Sequence, residues 1–240
     1  MHPPATLAGM TTTLITGANK SLGFETARRL AEAGHTIYLG SRDEQRGKEA
    51  AGRIGARPVQ IDVTSDDSVQ AAAARIREEA GHLDVLVNNA GISGGRKPPG
   101  DVTAADMRAV YETNVFGVVR VTHAFLPLLA ASEAPVVVMV SSGLGSLAIA
   151  TDPSRFESSL ELLPYPSSKS ALNMVTVQYA KAFPGMRINT VDPGFTATDF
   201  NQHRGTQTVG EGAEIIVAMA SVGPDGPTGG YFSAAGPVPW

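Results

Sequence analysis

Short runs rich in β-branched residues alternate along this chain with longer Ala-rich stretches, and that alternation constrains the fold more than any other feature. The strand candidates are 12–16, 36–39, 57–61, 83–88, 135–141, 187–192 and 229–233. Several are apolar throughout, the pattern of strands covered on both faces of a parallel sheet. Between them, 20–33, 66–80, 104–131 and 164–182 carry helix formers with apolar residues at helical spacing, and 104–131 is interrupted late by Pro127. Strand–helix alternation implies right-handed crossovers and an α/β, doubly wound parallel sheet with helices on both faces.

At 240 residues the chain suffices for one sizeable domain, expected over 11–240. Hydrophobic residues make up 42% of it, enough for a large core. A formal charge of −4 gives no whole-chain argument for nucleic acid or an anionic membrane. There is no cysteine, which excludes disulfides, a thiol nucleophile and zinc–thiolate sites, and fits a reducing cytoplasm. His2, His35, His82, His123 and His203 show no metal-like spacing, so no metal is expected. The longest apolar run, 134–140, is far too short to cross a bilayer. The opening MHPPATLAGM lacks a secretory pattern and reads as a flexible extension over 1–10, with Met10 an alternative start to Met1.

The stretch TGANKSLG, from Thr16 to Gly23, follows the first strand and opens a helix. That context suits a dinucleotide loop, whose glycines let exposed N–H groups and a helix dipole face a pyrophosphate. Ser21 stands where such loops carry a middle glycine, which costs backbone freedom but offers a hydroxyl, and Lys20 supplies a cation. The plainer alternative is a Gly-containing turn before an ordinary helix. We read a modified phosphate loop formed by Gly17, Asn19, Lys20, Ser21, Leu22 and Gly23.

Further elements follow in order: Asp62-Val63, Asn88-Asn89-Ala90-Gly91, Asn114 in TNVFG, Ser141-Ser142, Tyr165-Pro-Ser-Ser-Lys169 and Asp192-Pro193-Gly194. Taken together with the loop, this series resembles the short-chain dehydrogenase/reductase family over nearly the whole chain, including the long Ser142-to-Tyr165 interval of its carbonyl-reductase-like members. The resemblance implies a Rossmann-type sheet and a catalytic set of Asn114, Ser142, Tyr165 and Lys169. Ser142 would hold the substrate carbonyl oxygen, with Ser141 as runner-up. Asn114 would hold a local helix distortion and a water linked to the lysine. Asp62 would bond the adenine amino group, with Val63 beside it. Asn89, Ala90 and Gly91 would line the cofactor floor, and Pro193, Gly194, Thr196 and Thr198 would border the nicotinamide. Each of these also reads as an ordinary strand-end turn or a satisfied core amide.

Tyr165 and Lys169 lie four residues apart, on one face of a helix. An ammonium about 4 Å from the phenol at an effective dielectric of ~20 contributes roughly 4 kcal/mol, about three pKa units. The expectation is a phenol brought towards neutral pH for acid–base work, against the opposing pull of burial. Lys169 would also bind the nicotinamide ribose.

After the second strand, Ser41 occupies the position where the family's NAD-preferring members carry an acid, and Arg42 follows. A guanidinium matches a 2′-phosphate, so NADPH is expected over NADH. Asp43 is the counter-signal, unless Ser41-Arg-Asp-Glu44 is a capping box. The segments 146–163 and 195–210 should shape a pocket for a small, partly apolar carbonyl or alcohol substrate. The sequence leaves three functions in contention: a reversible NADPH-dependent carbonyl reductase, a non-catalytic NADP(H) sensor, and an epimerase or dehydratase with the same residues. Homo-oligomer and monomer both remain open.

Overall fold

A computed structural model describes residues 11–240, and the extension expected over 1–10 lies outside them. The strands are β1 (Thr12–Ile15), β2 (Thr36–Ser41), β3 (Arg57–Gln60), β4 (Val85–Asn88), β5 (Val136–Val140), β6 (Arg187–Asp192), β7 (Tyr231–Ser233) and β8 (Gly236–Pro237). They form one sheet in the order β3-β2-β1-β4-β5-β6-β7-β8. All neighbours are parallel except β7 and β8. The helices are α1 (Ser21–Glu32), α2 (Glu44–Gly52), α3 (Asp66–Ala80), α4 (Ala104–Tyr111), α5 (Gly117–Leu129), α6 (Leu147–Thr151), α7 (Pro164–Ala182) and α8 (Val209–Ala220). Among the described residues, no helix is long and apolar enough to cross a membrane.

The two-residue period of the strands divides their side chains between two cores. Leu14, Leu86, Val137 and Met139 face one layer with Ile76, Phe125 and Leu172. Their neighbours Ile15, Val87, Val136 and Val138 face the other, with Leu30, Ile215 and Ile216. Both faces are covered, which is why β1, β4 and β5 are buried along their whole length and β5 is apolar throughout.

All seven expected strands appear, five of them trimmed by one or two residues, 187–192 unchanged and 36–39 extended to Ser41, and 66–80 and 164–182 are helices with the expected bounds. Three differences have local causes. First, the 104–131 helix does not stop at Pro127, which α5 passes two residues before its end. Its break is a π-helical turn at Glu112–Phe116 around Asn114, a feature frequent at functional sites. Second, Ser41 is not the cap of α2: its hydroxyl donates to the Asp43 carbonyl, and the Asp43 carboxylate caps the helix by accepting from Arg46 N at 2.9 Å. Third, the last strand begins at Tyr231 rather than 229, because Gly229 turns the chain at φ +72°. The short β8, α6 and α8 escaped the sequence reading, whereas α2 was marked only by its start. α8 is announced by a capping box of Thr208 and Glu211, inside what read as loop.

Ser21 opens α1 at φ +52°, a left-handed value. For a residue with a Cβ this conformation costs about 1–2 kcal/mol, whereas glycine's extra freedom in the unfolded chain costs about 0.5–1 kcal/mol. Ser21→Gly is therefore expected to stabilise the fold by up to about 1 kcal/mol, read as a higher urea midpoint with an unchanged slope.

Candidate active site

Every sequence-flagged segment lies at the carboxyl edge of the sheet. The order reverses between β1 and β4, and there a crevice opens in doubly wound folds. The phosphate loop leaves β1, Arg42 follows β2, Asp62-Val63 follow β3, and Asn89–Gly91 follow β4. Ser142 and Pro193-Gly194 follow β5 and β6. Tyr165 and Lys169 come from the first two turns of α7, and Asn114 from the π-turn.

The loop is braced from below. Thr16 Oγ1 accepts from Asn89 N and Ala90 N, each at 3.0 Å, and Asn89 Nδ2 donates to the carbonyls of Thr16 and Gly17. The Asn89 amide is thus committed to the loop itself. A Cβ added to Gly23 would meet Asn89 Nδ2 at 2.5 Å and the Gly17 carbonyl at 2.8 Å, so the close approach of α1 requires glycine there. Thr16, the first letter of the TGANKSLG stretch, escaped the sequence reading. Its pattern signal is a hydroxyl at the strand end before the first glycine.

The turns after β2 and β3 carry Arg42, which is exposed, and Asp62, which is half-buried. Burial raises the Asp62 carboxyl, but the Thr64 hydroxyl and N–H and the charges of Arg42 and Arg120 outweigh it and leave it below the ordinary range. Val63 is buried, its carbonyl accepting from Arg120 at 2.6 Å. Lys20 does not stand free: it pairs with Asp199 at 2.8 Å, with both side chains more than half exposed. An exposed pair of this kind contributes about 1 kcal/mol or less, so the cation is readily given up to a phosphate.

At the other end, Asn114 is fully buried and saturated. Its Oδ1 accepts from Ile92 N, and its Nδ2 donates to Ile92 O and Ser168 Oγ. The Ser168 hydroxyl in turn donates to the Tyr165 carbonyl. One amide therefore ties the π-turn to the chain after β4 and to α7. Lys169 is 5% exposed and donates to the Val140 carbonyl at 2.7 Å, with Nζ 5.6 Å from the Tyr165 ring centre. Burial pushes its ammonium down to about 8.

Tyr165 departs from expectation. Burial pushes its phenol up, with the neighbouring Ser142 side chain pulling down and the Asp192 charge pushing further up. The expected lowering by Lys169 does not occur, because the ammonium is turned to a strand carbonyl and desolvation of the phenolate dominates. At neutral pH the phenol is protonated, a donor rather than a base. Its ring is only partly covered, in part by the edge-on ring of Phe200, 5.3 Å away.

The two serines are separated by their partners. Ser141 is buried and donates to Asn173 Oδ1 at 2.7 Å, whereas the half-buried Ser142 faces Tyr165 and accepts from Leu144 N. Tyr231, which the sequence reading did not single out, donates its hydroxyl to the Ser142 carbonyl. Thr196 and Thr198 are buried and locally engaged. Thr196 Oγ1 donates to the Pro193 carbonyl, and Thr198 caps the short turn at Asp199–Asn201. Pro193 is buried, and Gly194 turns the chain at φ +74°.

These residues fit a nicotinamide dinucleotide. A loop of backbone N–H groups opens α1, a cation lies at each side of it, and Gly91 leaves space where a Cβ would stand 3.4 Å from Asn114 Oδ1 and 3.7 Å from Lys169 Nζ. Glycine at 91 thus brings the backbone close to both the amide and the lysine. Among the described residues no group of three or more His, Asp or Glu side chains is placed to hold a metal.

Comparison with known proteins agrees with this geometry. The sequence model of the family described as short chain dehydrogenase matches residues 11–208. The chain is 40% identical to the short-chain dehydrogenase anuI of Penicillium roqueforti over 223 residues, covering 88% of both. It is 31% identical to a (+)-neomenthol dehydrogenase of Capsicum annuum, covering 91% of this chain and 94% of that one. Its fold is similar to that of the NADPH-bound carbonyl reductase from chicken fatty liver, with a TM-score of 0.83 and 25% identity over 96% of this chain and 99% of that one. A phosphate loop, a Tyr–Lys helix and a serine at one sheet edge, matched over most of the chain, make this protein a member of the NAD(P)-dependent short-chain dehydrogenase/reductase family.

Proposed function

We propose that this protein is an NADPH-dependent carbonyl reductase, reversible as an alcohol dehydrogenase, with Asn114, Ser142, Tyr165 and Lys169 as its working residues. The observation that carries the reading is the protonated Tyr165 phenol beside the Ser142 side chain, one helical turn from a buried ammonium. A bound NADPH supplies the hydride. The Ser142 hydroxyl donates to the substrate carbonyl oxygen and orients it. Tyr165 passes its proton to that oxygen as negative charge develops there. Lys169 turns from the Val140 carbonyl to hold ribose hydroxyls, and its charge stabilises the phenolate left behind. Asn114 keeps α7 and the turn after β4 in register while this happens.

Selection of NADPH is supported by Arg42, exposed at the adenosine end, and by Lys20. Asp43, the residue that argued for NADH, spends its carboxylate on the N-terminus of α2 and on the Arg46 guanidinium. The NADPH-bound relative of similar fold points the same way. A partly apolar substrate is supported by Phe195 and Phe200 on the segment after β6, and by Leu147 and Phe156 before α7, all substantially exposed. The absence of cysteine suits a cytoplasmic setting.

Following NADPH oxidation over a panel of ketones and aldehydes tests the reading. Tyr165→Phe is expected to lower kcat by about a thousandfold while leaving the NADPH dissociation constant unchanged; near-normal turnover in that variant would refute the proton-donor role, and binding without turnover in wild type would favour the sensor. Arg42→Ala is expected to lower kcat/KM for NADPH by about 10- to 100-fold, the loss of a charge-assisted contact, with little change for NADH. Lys169 keeps its charge below its lowered value of about 8 and loses it above. Reduction should therefore hold steady at lower pH and decline as pH rises through about 8, with Tyr165 contributing nothing to that decline because its own value is raised.

A further inference from the structure

The segment 142–148, which begins with Ser142, is gripped by two separate parts of the chain. One grip is α7. A Cβ at Gly145 would stand 2.8 Å from the Lys169 backbone carbon, and the Gly145 carbonyl accepts from Ser170 Oγ at 2.9 Å and Asn173 Nδ2 at 3.1 Å. The other grip is the end of the sheet. The Tyr231 hydroxyl of β7 donates to the Ser142 carbonyl, which also accepts from Gly145 N at 2.7 Å. Past β8 the chain follows the same segment onwards. Ser146 Oγ donates to the Pro239 carbonyl at 2.6 Å, and Ala148 N donates to the Trp240 carbonyl at 3.0 Å. The Trp240 ring closes this strap by stacking on the Tyr231 ring, with centroids 5.3 Å apart. Tyr231 is 2% exposed and Ser146 is fully buried, so water competes little for these bonds.

We propose that Tyr231, held in place by a strap of residues 238–240, is a positioning residue for Ser142: together they clamp the 142–148 segment against α7 and so fix the Ser142 hydroxyl relative to Tyr165. The inference rests on the reductase reading and deepens it. Ser142 Oγ accepts from Leu144 N at 3.3 Å, so the direction of its hydroxyl follows the turn. Tyr165 and Lys169 ride on α7, whereas Ser142 continues β5 as an extended residue, at φ −168° and ψ 147°. α7 holds the turn at Gly145, three residues further on; Tyr231 holds it at Ser142 itself. Both hydroxyls must meet one substrate oxygen, and small errors of placement are costly in such a step. A looser turn therefore slows reduction, while the loops after β1, β2 and β4 still bind the cofactor.

Tyr231→Phe removes one hydroxyl and keeps the stacked ring. It is expected to lower kcat/KM for carbonyls about tenfold, counted per NADPH-binding site, with the NADPH dissociation constant within about twofold of wild type. An unchanged kcat/KM overturns the role, and so does a loss matched by an equal loss of binding sites, which marks a folding defect. Trp240→Ala, at a side chain 41% exposed, carries the same expectation if the buried variant does not fold. A double-mutant cycle then asks whether the effect passes through Ser142. In Ser142→Ala, assayed at high enzyme concentration, neither substitution should lower the rate by more than about twofold, and a repeated tenfold loss overturns the positioning role. The strap is read separately, without cofactor or substrate. Amide hydrogen exchange over 144–150 should speed about tenfold in Trp240→Ala, and equal exchange overturns the clamp. A wild type without turnover on any carbonyl overturns the reduction and this role with it, whereas an active wild type with additive losses overturns Tyr231 alone.

Discussion

The parallel register of β1 between β2 and β4 is the constraint from which the site follows. Thr13 pairs with Ile37 on one side and Val85 on the other, so three strand ends reach the same edge of the sheet. Parallel pairing sends every crossover helix back to the opposite edge, and so every strand-to-helix turn collects on one side. The chain can then place Gly17, Arg42, Asp62, Gly91, Ser142 and Gly194 within one crevice without any of them being close in sequence. Apolar burial on both faces makes this register costly to shift, since a one-residue slip would exchange the side chains of the two cores.

Within that crevice, desolvation sets the protonation states. A Lys–Tyr pair in water would be read as a charge attracting a phenolate. Here the ammonium is 5% exposed and bonded to a strand carbonyl, and the phenol lies beside Ser142. The two groups move in opposite directions, lysine down and tyrosine up, so each is driven towards its neutral form. A neutral phenol is the form that a carbonyl reduction consumes, and its partial exposure under Phe200 leaves it reachable by a substrate.

Polar side chains between elements hold this geometry. Asn114 satisfies both backbone groups of Ile92 and still reaches α7. Thr16 and Asn89 lock the phosphate loop to the turn after β4. Arg120 joins Asp66, Glu112 and the Val63 carbonyl. Tyr231 braces Ser142 from the last parallel strand, its ring stacked on Trp240. Each is a buried or half-buried polar group whose partners would be left unsatisfied by its loss, a penalty of about 1–3 kcal/mol per group.

Alternating periodicity determined the layered sheet, and the bounds of α3 and α7 were legible almost residue by residue, because amphipathic spacing is a local signal. The loop after β1 and the Tyr165–Lys169 spacing were legible for the same reason. Helices such as α6 and α8 were hidden by short length or by a Gly- and Thr-containing start. Tertiary structure alone decided that the long helix breaks at Asn114 rather than at Pro127, that Lys20 meets Asp199, and that Tyr165 stays protonated. In each case the outcome turns on partners distant in sequence or on exclusion of water. Neither is a property of any short window of residues, and both exist only once the chain has closed around them.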